Sequence, residues 1–261
     1  ENENFSEEQL ELPDNKYIFE KTRKQSIKLN NQQTVSFEKY DDSFLKNFPR
    51  PRLLPWEREG ITKESMDSHN ICYDPINQGI VIPHYDINNQ LIGIRERTLI
   101  KENEAKGKYR PAIISGKMYN HPLSFNLYNI NFSKDNIKRM KKVIVYEGEK
   151  SCLLFSSFFG VENDISVAVC GSNLINYQVE MLKSLGVEEI IIAFDKQYQE
   201  YGDEEYFKWE EKLINIYKKY GGFIQIRFIL DTGNLLGYKD SPIDKGPDIF
   251  LELFNNRKEP R

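Results

Sequence analysis

The C-terminal half of the chain repeats one pattern four times: a short apolar run, a polar turn, then a helix-like segment. The runs are VIVY (143–146), SVAVC (166–170), EEIIIAF (188–194) and GFIQIRFIL (222–230), with helices predicted over 150–159, 174–185 and 203–220. PDIFLELF (247–254) closes the series. Short strands alternating with helices specify a parallel α/β sheet, because parallel neighbours need crossover connections and the crossovers cover the sheet faces. Such a sheet also dictates where ligands go, namely outside the carboxyl ends of its strands.

Upstream the pattern differs. Residues 1–40 are polar and acidic, with seven carboxylates against Lys16 alone in the first twenty, and read as an extension. Residues 47–60 hold three prolines and read as an extended connector; Thr62 then caps a short helix over 62–69. GIVIPHYD, INNQ and LIGIRERTL, from residue 79 to 99, read as two strands around an Asn-rich turn. Residues 100–120 read as a loop or exposed ribbon, and SKDNIKRMKK near 133–142 as a basic helix or linker at a boundary. Three parts result: an extension over 1–40, a smaller α+β subdomain over 41–140 and an α/β domain over 141–261.

At 39% hydrophobic and 29% charged, the chain is of the globular class rather than the disordered one. No apolar run approaches the ~20 residues that span a bilayer, and the first residues lack the pattern of a signal peptide, so a cytoplasmic protein without a membrane partner is expected. Cys72, Cys152 and Cys170 form no CxxC pair, and His69, His84 and His121 share no ligand spacing, so no zinc is expected in this chain. A net charge of −4 argues against nucleic acid, but residues 95–117 carry seven basic side chains against three acidic. A local patch of that kind can track phosphates by releasing their counterions.

The residues that follow the apolar runs carry the chemistry. They are Glu147-Gly148-Glu149-Lys150, Gly171-Ser172-Asn173 and Asp195-Lys196-Gln197, and after the fourth run Asp231, Asp240, Asp244 and Asp248. Carboxylates at the ends of successive strands converge in space. A hard dication wants such oxygen ligands together with waters and substrate phosphates.

That constellation resembles the TOPRIM domain shared by DnaG-type primases, topoisomerases and some nucleases. The matching pieces are VIVYEGEKS (143–151), VAVCGSN (167–173) and IIIAFD (190–195). The resemblance implies that Glu147 is the family's catalytic glutamate and Asp195 the first aspartate of its Asp-x-Asp motif. KGPDIFLEL (245–253) is similar to the later Asp-Pro-Asp segment, with Asp248 the best match and Asp244 beside it as a further metal ligand. EREGITKESMDSHNICYDP (57–75), GIVIPHYDINNQLIGIRERTL (79–99), GKYRP (107–111) and SFNLYNI (124–130) resemble the primase polymerase core ahead of TOPRIM. The implied fold is a C-terminal TOPRIM-type parallel sheet flanked by helices, preceded by a smaller α+β primase-type subdomain.

The implied function is template-directed synthesis of short RNA primers on single-stranded DNA, using ribonucleoside triphosphates and Mg2+ or Mn2+. Glu147, Asp195, Asp244 and Asp248 would hold metal, and Arg97, Lys108, Arg110 and Lys150 would grip nucleotide or template. A replicative helicase is an expected partner. Two positions depart from the family: Gln197 stands at the second aspartate of Asp-x-Asp, and Ser151 where cellular primases often carry another aspartate. Both remove negative charge from the metal site. They keep open a catalytically weakened nucleic-acid-binding module, alongside a TOPRIM nuclease. The acidic helix after Asp195 points to a phage or mobile-element relative.

Overall fold

Alternation of side chains builds the first sheet and ties it to the second. In the computed structural model, which describes residues 36–105 and 107–259, two short helices come first: α1 (Leu54–Arg58) and α2 (Lys63–Ser68). The extension expected over 1–40 lies outside the described residues apart from 36–40. Thr62 caps α2 by accepting a hydrogen bond from the Ser65 backbone N–H, as predicted. α1 interrupts the expected extended connector. Pro55 sits in its first turn, where a missing N–H costs nothing.

An antiparallel sheet follows: β1 (Cys72–Asp74), β2 (Gly79–Tyr85), β3 (Leu91–Thr98) and β4 (Tyr109–Pro111), in that spatial order. The stretch read as loop or ribbon also forms α3 (Lys101–Glu104) and a two-stranded ribbon of β5 (Ile113–Ile114) and β6 (Lys117–Met118). Every residue of β2 is buried because both faces of this sheet are covered. Val81 packs with Leu45, Cys72, Leu91 and Ile94 on one side. Ile80 and Ile82 join the core of the second sheet on the other.

Close packing fixes Gly93 in β3. A Cβ there would lie 2.2 Å from His121 Nδ1, and His121 is itself wedged against His84 at 4.8 Å between ring centroids. Gly93→Ala is expected to cost about 1–3 kcal/mol through overpacking, read as a lowered urea midpoint. An unchanged midpoint would mean that the His121 ring yields freely.

The second half runs α4 (Ile130–Met140), β7 (Lys142–Tyr146), α5 (Glu149–Phe159), β8 (Ser166–Ala168), α6 (Asn176–Ser184), β9 (Glu189–Ile192), α7 (Glu204–Tyr220), β10 (Gln225–Phe228) and α8 (Pro247–Asn255). Its four strands are all parallel, in the order β10-β9-β7-β8. Val143–Tyr146 and Ile190–Ile192 are buried to within 1% exposure, which is why these runs show no alternation. The expected fold class is thus observed: a helix-flanked parallel sheet preceded by an antiparallel one. Phe37–Arg261 forms one compact unit. The chain passes from β8 on one side of β7 to β9 on the other, so the crevice at the carboxyl ends of β7 and β9 is a topological switch point. Among the described residues no helix is long and apolar enough to cross a membrane.

Candidate active site

β7 ends at Tyr146 and delivers Glu147 to the switch point. Gly148 then caps α5 with extended backbone, φ −125°. The Glu147 carboxylate is half-buried, and its Oε1 has no hydrogen-bond partner among the described residues. Burial raises its pKa above the ordinary carboxylate value, with Lys212 opposing. β9 continues through Ala193, whose N–H donates to Val145 O, and presents Asp195 two residues later. The Asp195 carboxyl is pushed up to about 7, first by burial and then by the charges of Glu147, Asp244 and Asp240, while Lys150 works against the rise.

Asp244 comes from the loop after β10. One of its oxygens accepts from the Ser241 N–H and the other lies 3.0 Å from Lys150 Nζ. Lys150 also donates to Glu59 at 2.9 Å. Glu147, Asp195, Asp244 and Lys150 line one cleft of about 400 Å³, together with Arg97 and Lys108.

The remaining predicted residues stand elsewhere. Asp248 is exposed in the first turn of α8 and does not line the cleft. The turn at 240–246 brings Asp244 inward instead. Arg110 donates to the buried Glu96 carboxylate at 3.0 Å and is also absent from the lining. Arg97 lies between the rings of Trp56 and Tyr109, at 5.9 Å from each centroid, with its Nε lacking a partner among the described residues. Lys108 is exposed at the cleft, 3.9 Å from Glu104.

Of the two departures, Ser151 lines the cleft and donates its hydroxyl to Ser241 Oγ at 2.9 Å. Gln197 is not in the lining, which holds the carboxylates of Glu147, Asp195 and Asp244 together with Glu149. Sequence reasoning missed Lys239 and Ser241, which line the cleft from a loop without periodicity. The left-handed φ of 66° at Lys239 marks the sharpness of that loop.

Glu149 does something different from Glu147. It is buried, accepts from Arg95 Nη1 at 2.6 Å and takes an N–H from neutral His84 at 3.2 Å. Burial favours its neutral form, but the His84 hydrogen bond and the Arg95 charge outweigh this and hold it at about 2. His84 is itself lowered by burial, against the pull of Glu149. His84, Glu149 and Cys170 offer ligand atoms within 4.8 Å of one another, a grouping no sequence spacing reveals. Arg95 already neutralises that carboxylate, and burial pushes the Cys170 thiol well up, so a cation would have to displace both a guanidinium and a proton.

No protein-family model matches the sequence. The chain is similar to the SPbeta prophage-derived uncharacterized protein YorJ of Bacillus subtilis, 37% identical over 236 residues, which are 86% of this chain and 62% of that protein. It is also similar to the DNA primase of Chlamydia pneumoniae, 32% identical over 117 residues, which are 44% of this chain and 18% of that one. The chain therefore spans under two thirds of the prophage protein and under a fifth of the primase. Among solved structures it superimposes on the Aquifex aeolicus primase (zinc-binding and RNA polymerase domains) with TM-score 0.62 and 15% identity, over 83% of this chain and 60% of that one. A DnaG primase catalytic domain bound to single-stranded DNA matches with TM-score 0.60 and 14% identity, over 83% and 77%.

Proposed function

The chain has the fold of the DnaG-type primase catalytic core, of which the TOPRIM domain is part, and from that premise we propose that it makes short RNA primers on single-stranded DNA by metal-dependent nucleotidyl transfer, in the replication of a phage or mobile element. The observation that carries this reading is the Asp195 carboxyl at about 7, raised by burial beside Glu147, Asp244 and Asp240. A half-buried group of carboxylates with an orphaned Glu147 oxygen suits a hard divalent cation, Mg2+ or Mn2+, better than it suits water. Asp195 and Asp244 would hold the ion directly, with Glu147 either reaching it through water or serving as general base. When bound, it would neutralise the triphosphate and stabilise charge on the phosphoryl group in transfer.

The protein's own groups supply the rest. A primer 3′-hydroxyl attacks the α-phosphorus of the incoming ribonucleotide and pyrophosphate leaves. Glu147, raised by burial, is suited to accept the hydroxyl proton at its unpartnered Oε1. Arg97, pre-oriented between two aromatic rings, presents a planar fork to a phosphate, and Lys108 and Lys150 add point charges around it. The proposed halves of the catalytic core are 41–140, carrying Arg97 and Lys108, and 141–261, carrying the carboxylates. Proposed partners are the DNA template, ribonucleoside triphosphates and a replicative helicase.

A second reading, a weakened module that binds strands without extending them, draws on the Ser151–Ser241 hydroxyl pair where a further carboxylate would strengthen the site. Incubation with single-stranded DNA, labelled ribonucleotides and Mg2+ or Mn2+ separates the readings. Short labelled RNA is the expected product. Binding without RNA would favour the module, and cut DNA without RNA a TOPRIM nuclease.

A further inference from the structure

A second hollow, of about 550 Å³, opens on the other side of the turn after β8. Gly171 of that turn lines the active-site cleft and Asn173 lines the hollow, so the turn is their shared wall. The opposite wall is α7, which presents Lys208, Lys212 and Lys219. Spacings of four and seven residues put the three on one helix face, about 6 Å and about 10 Å apart along the axis. The floor is apolar, built from Leu174, Ile175 and Ile216. Tyr220 fixes it by donating its hydroxyl toward Leu174 O and Asn176 Oδ1, which ties α7 to the turn.

The charge of this groove is one-sided. Glu211 is the single acidic residue lining it, against three lysines. Lys212 and Lys219 have no carboxylate within ion-pair distance among the described residues, and Lys208 is held only by the exposed Glu204 at 2.6 Å. An exposed pair of that kind contributes little and exchanges readily for another anion. Lys212 also leans toward the chemistry: its Nζ lies 5.4 Å from the centroid of Phe194, the residue before Asp195, and its charge is felt at Glu147.

We propose that this groove takes the phosphodiester backbone of a single-stranded nucleic acid passing over the turn after β8 to or from the active-site cleft. Lysines present compact point charges with rotatable donors, which suits repeated phosphates and reads no base. The three lysines are spread over about 16 Å of one helix face rather than converging on a point, which suits a chain of charges better than a single anion. The direction toward the cleft rests on the primase reading; the strand contact itself does not.

The test is fluorescence anisotropy of the full chain with labelled oligodeoxythymidylate and oligouridylate of about 20 nucleotides, titrated across salt. Replacing all three lysines by glutamine, which keeps helix propensity, removes three phosphate contacts. At about 0.7 per contact this should flatten the log–log salt slope by about 2 and weaken binding about a hundredfold near 0.1 M salt. The triple Lys→Arg variant should retain parental affinity, and Glu211→Gln should tighten binding several-fold, a gain that no loss of structure can imitate. An effect on DNA identifies the template strand and an effect on RNA the product strand; either supports the groove. The proposal is overturned if the glutamine variant keeps the parental affinity and slope on both oligonucleotides, if the parent binds neither, or if polyglutamate of similar charge competes equally, which would mark an acidic protein as the occupant. A chain that binds strands in this way yet makes no RNA keeps the groove and loses the primase reading, so the two fail separately.

Discussion

Asp195→Asn is expected to abolish RNA synthesis and yet, when divalent cations are chelated, to make the folded chain more stable at pH 8. Both effects have one origin. In the folded chain the Asp195 carboxyl sits at about 7, against an ordinary aspartate value of 3.8, because it is buried next to Glu147 and Asp244. The folded state therefore holds this proton more tightly than the unfolded state does. Its contribution is fully present below about pH 4 and is lost as pH rises through about 7. Above that the parent carries a penalty of about 4 kcal/mol at most, which asparagine removes.

A saturating divalent cation should reverse the order. It stabilises the parent by mass action and leaves the variant nearly untouched. Loss of an electrostatic contact to the transferring group should lower synthesis by at least about a hundredfold. Thermal melts at pH 8, in chelator and then in Mg2+, read the first effect, and primer yield reads the second. A variant less stable than the parent in chelator would show that burial and the neighbouring carboxylates do not disfavour the charged form of Asp195.

This site was legible in sequence to the extent that topology determines it. The runs VIVY and EEIIIAF lack alternation because β7 and β9 are buried on both faces, and parallel strands must end side by side, so Glu147 and Asp195 are brought together by the fold rather than by spacing. The loop from 231 to 246 has no such periodicity. Asp244 within it and Asp248 just beyond it are both candidates, and only the turn ahead of Pro247 decides that Asp244 faces the cleft while Asp248 stands exposed in the first turn of α8. Charge counting could not separate Arg97 from Arg110 either. They lie on adjacent strands, and Arg110 is taken up by Glu96, whereas Arg97 is left between two rings. Lys239 carried no signal beyond its neighbours, since a left-handed residue other than glycine cannot be read from composition.

Glu149 shows the same limit most clearly, because its partners lie 54 and 65 residues away. Arg95→Met is expected to destabilise the chain by about 3–5 kcal/mol at pH 7, since it strands a buried carboxylate with only a neutral imidazole as donor. In the parent, burial is outweighed by His84 and Arg95, and Glu149 sits at about 2. Its contribution is thus present above the ordinary glutamate range and is lost as pH falls toward 2. Without the guanidinium no full charge opposes the effect of burial and the carboxyl rises, so the variant regains stability on acidification. The gap between parent and variant should therefore narrow from pH 7 to pH 4 in urea unfolding. Arg95→Met combined with Glu149→Gln should recover most of the loss, because the stranded charge is then gone. A double variant no more stable than the single one would show that Arg95 acts through packing on Tyr109, whose ring it covers at 5.4 Å, rather than through charge. Since Arg95 belongs to β3 and Glu149 opens α5 two residues after Glu147, the pair also joins the antiparallel sheet to the carboxylate cluster. Its loss should lower divalent-cation affinity even where the chain stays folded, and the double variant should restore stability more fully than it restores that affinity.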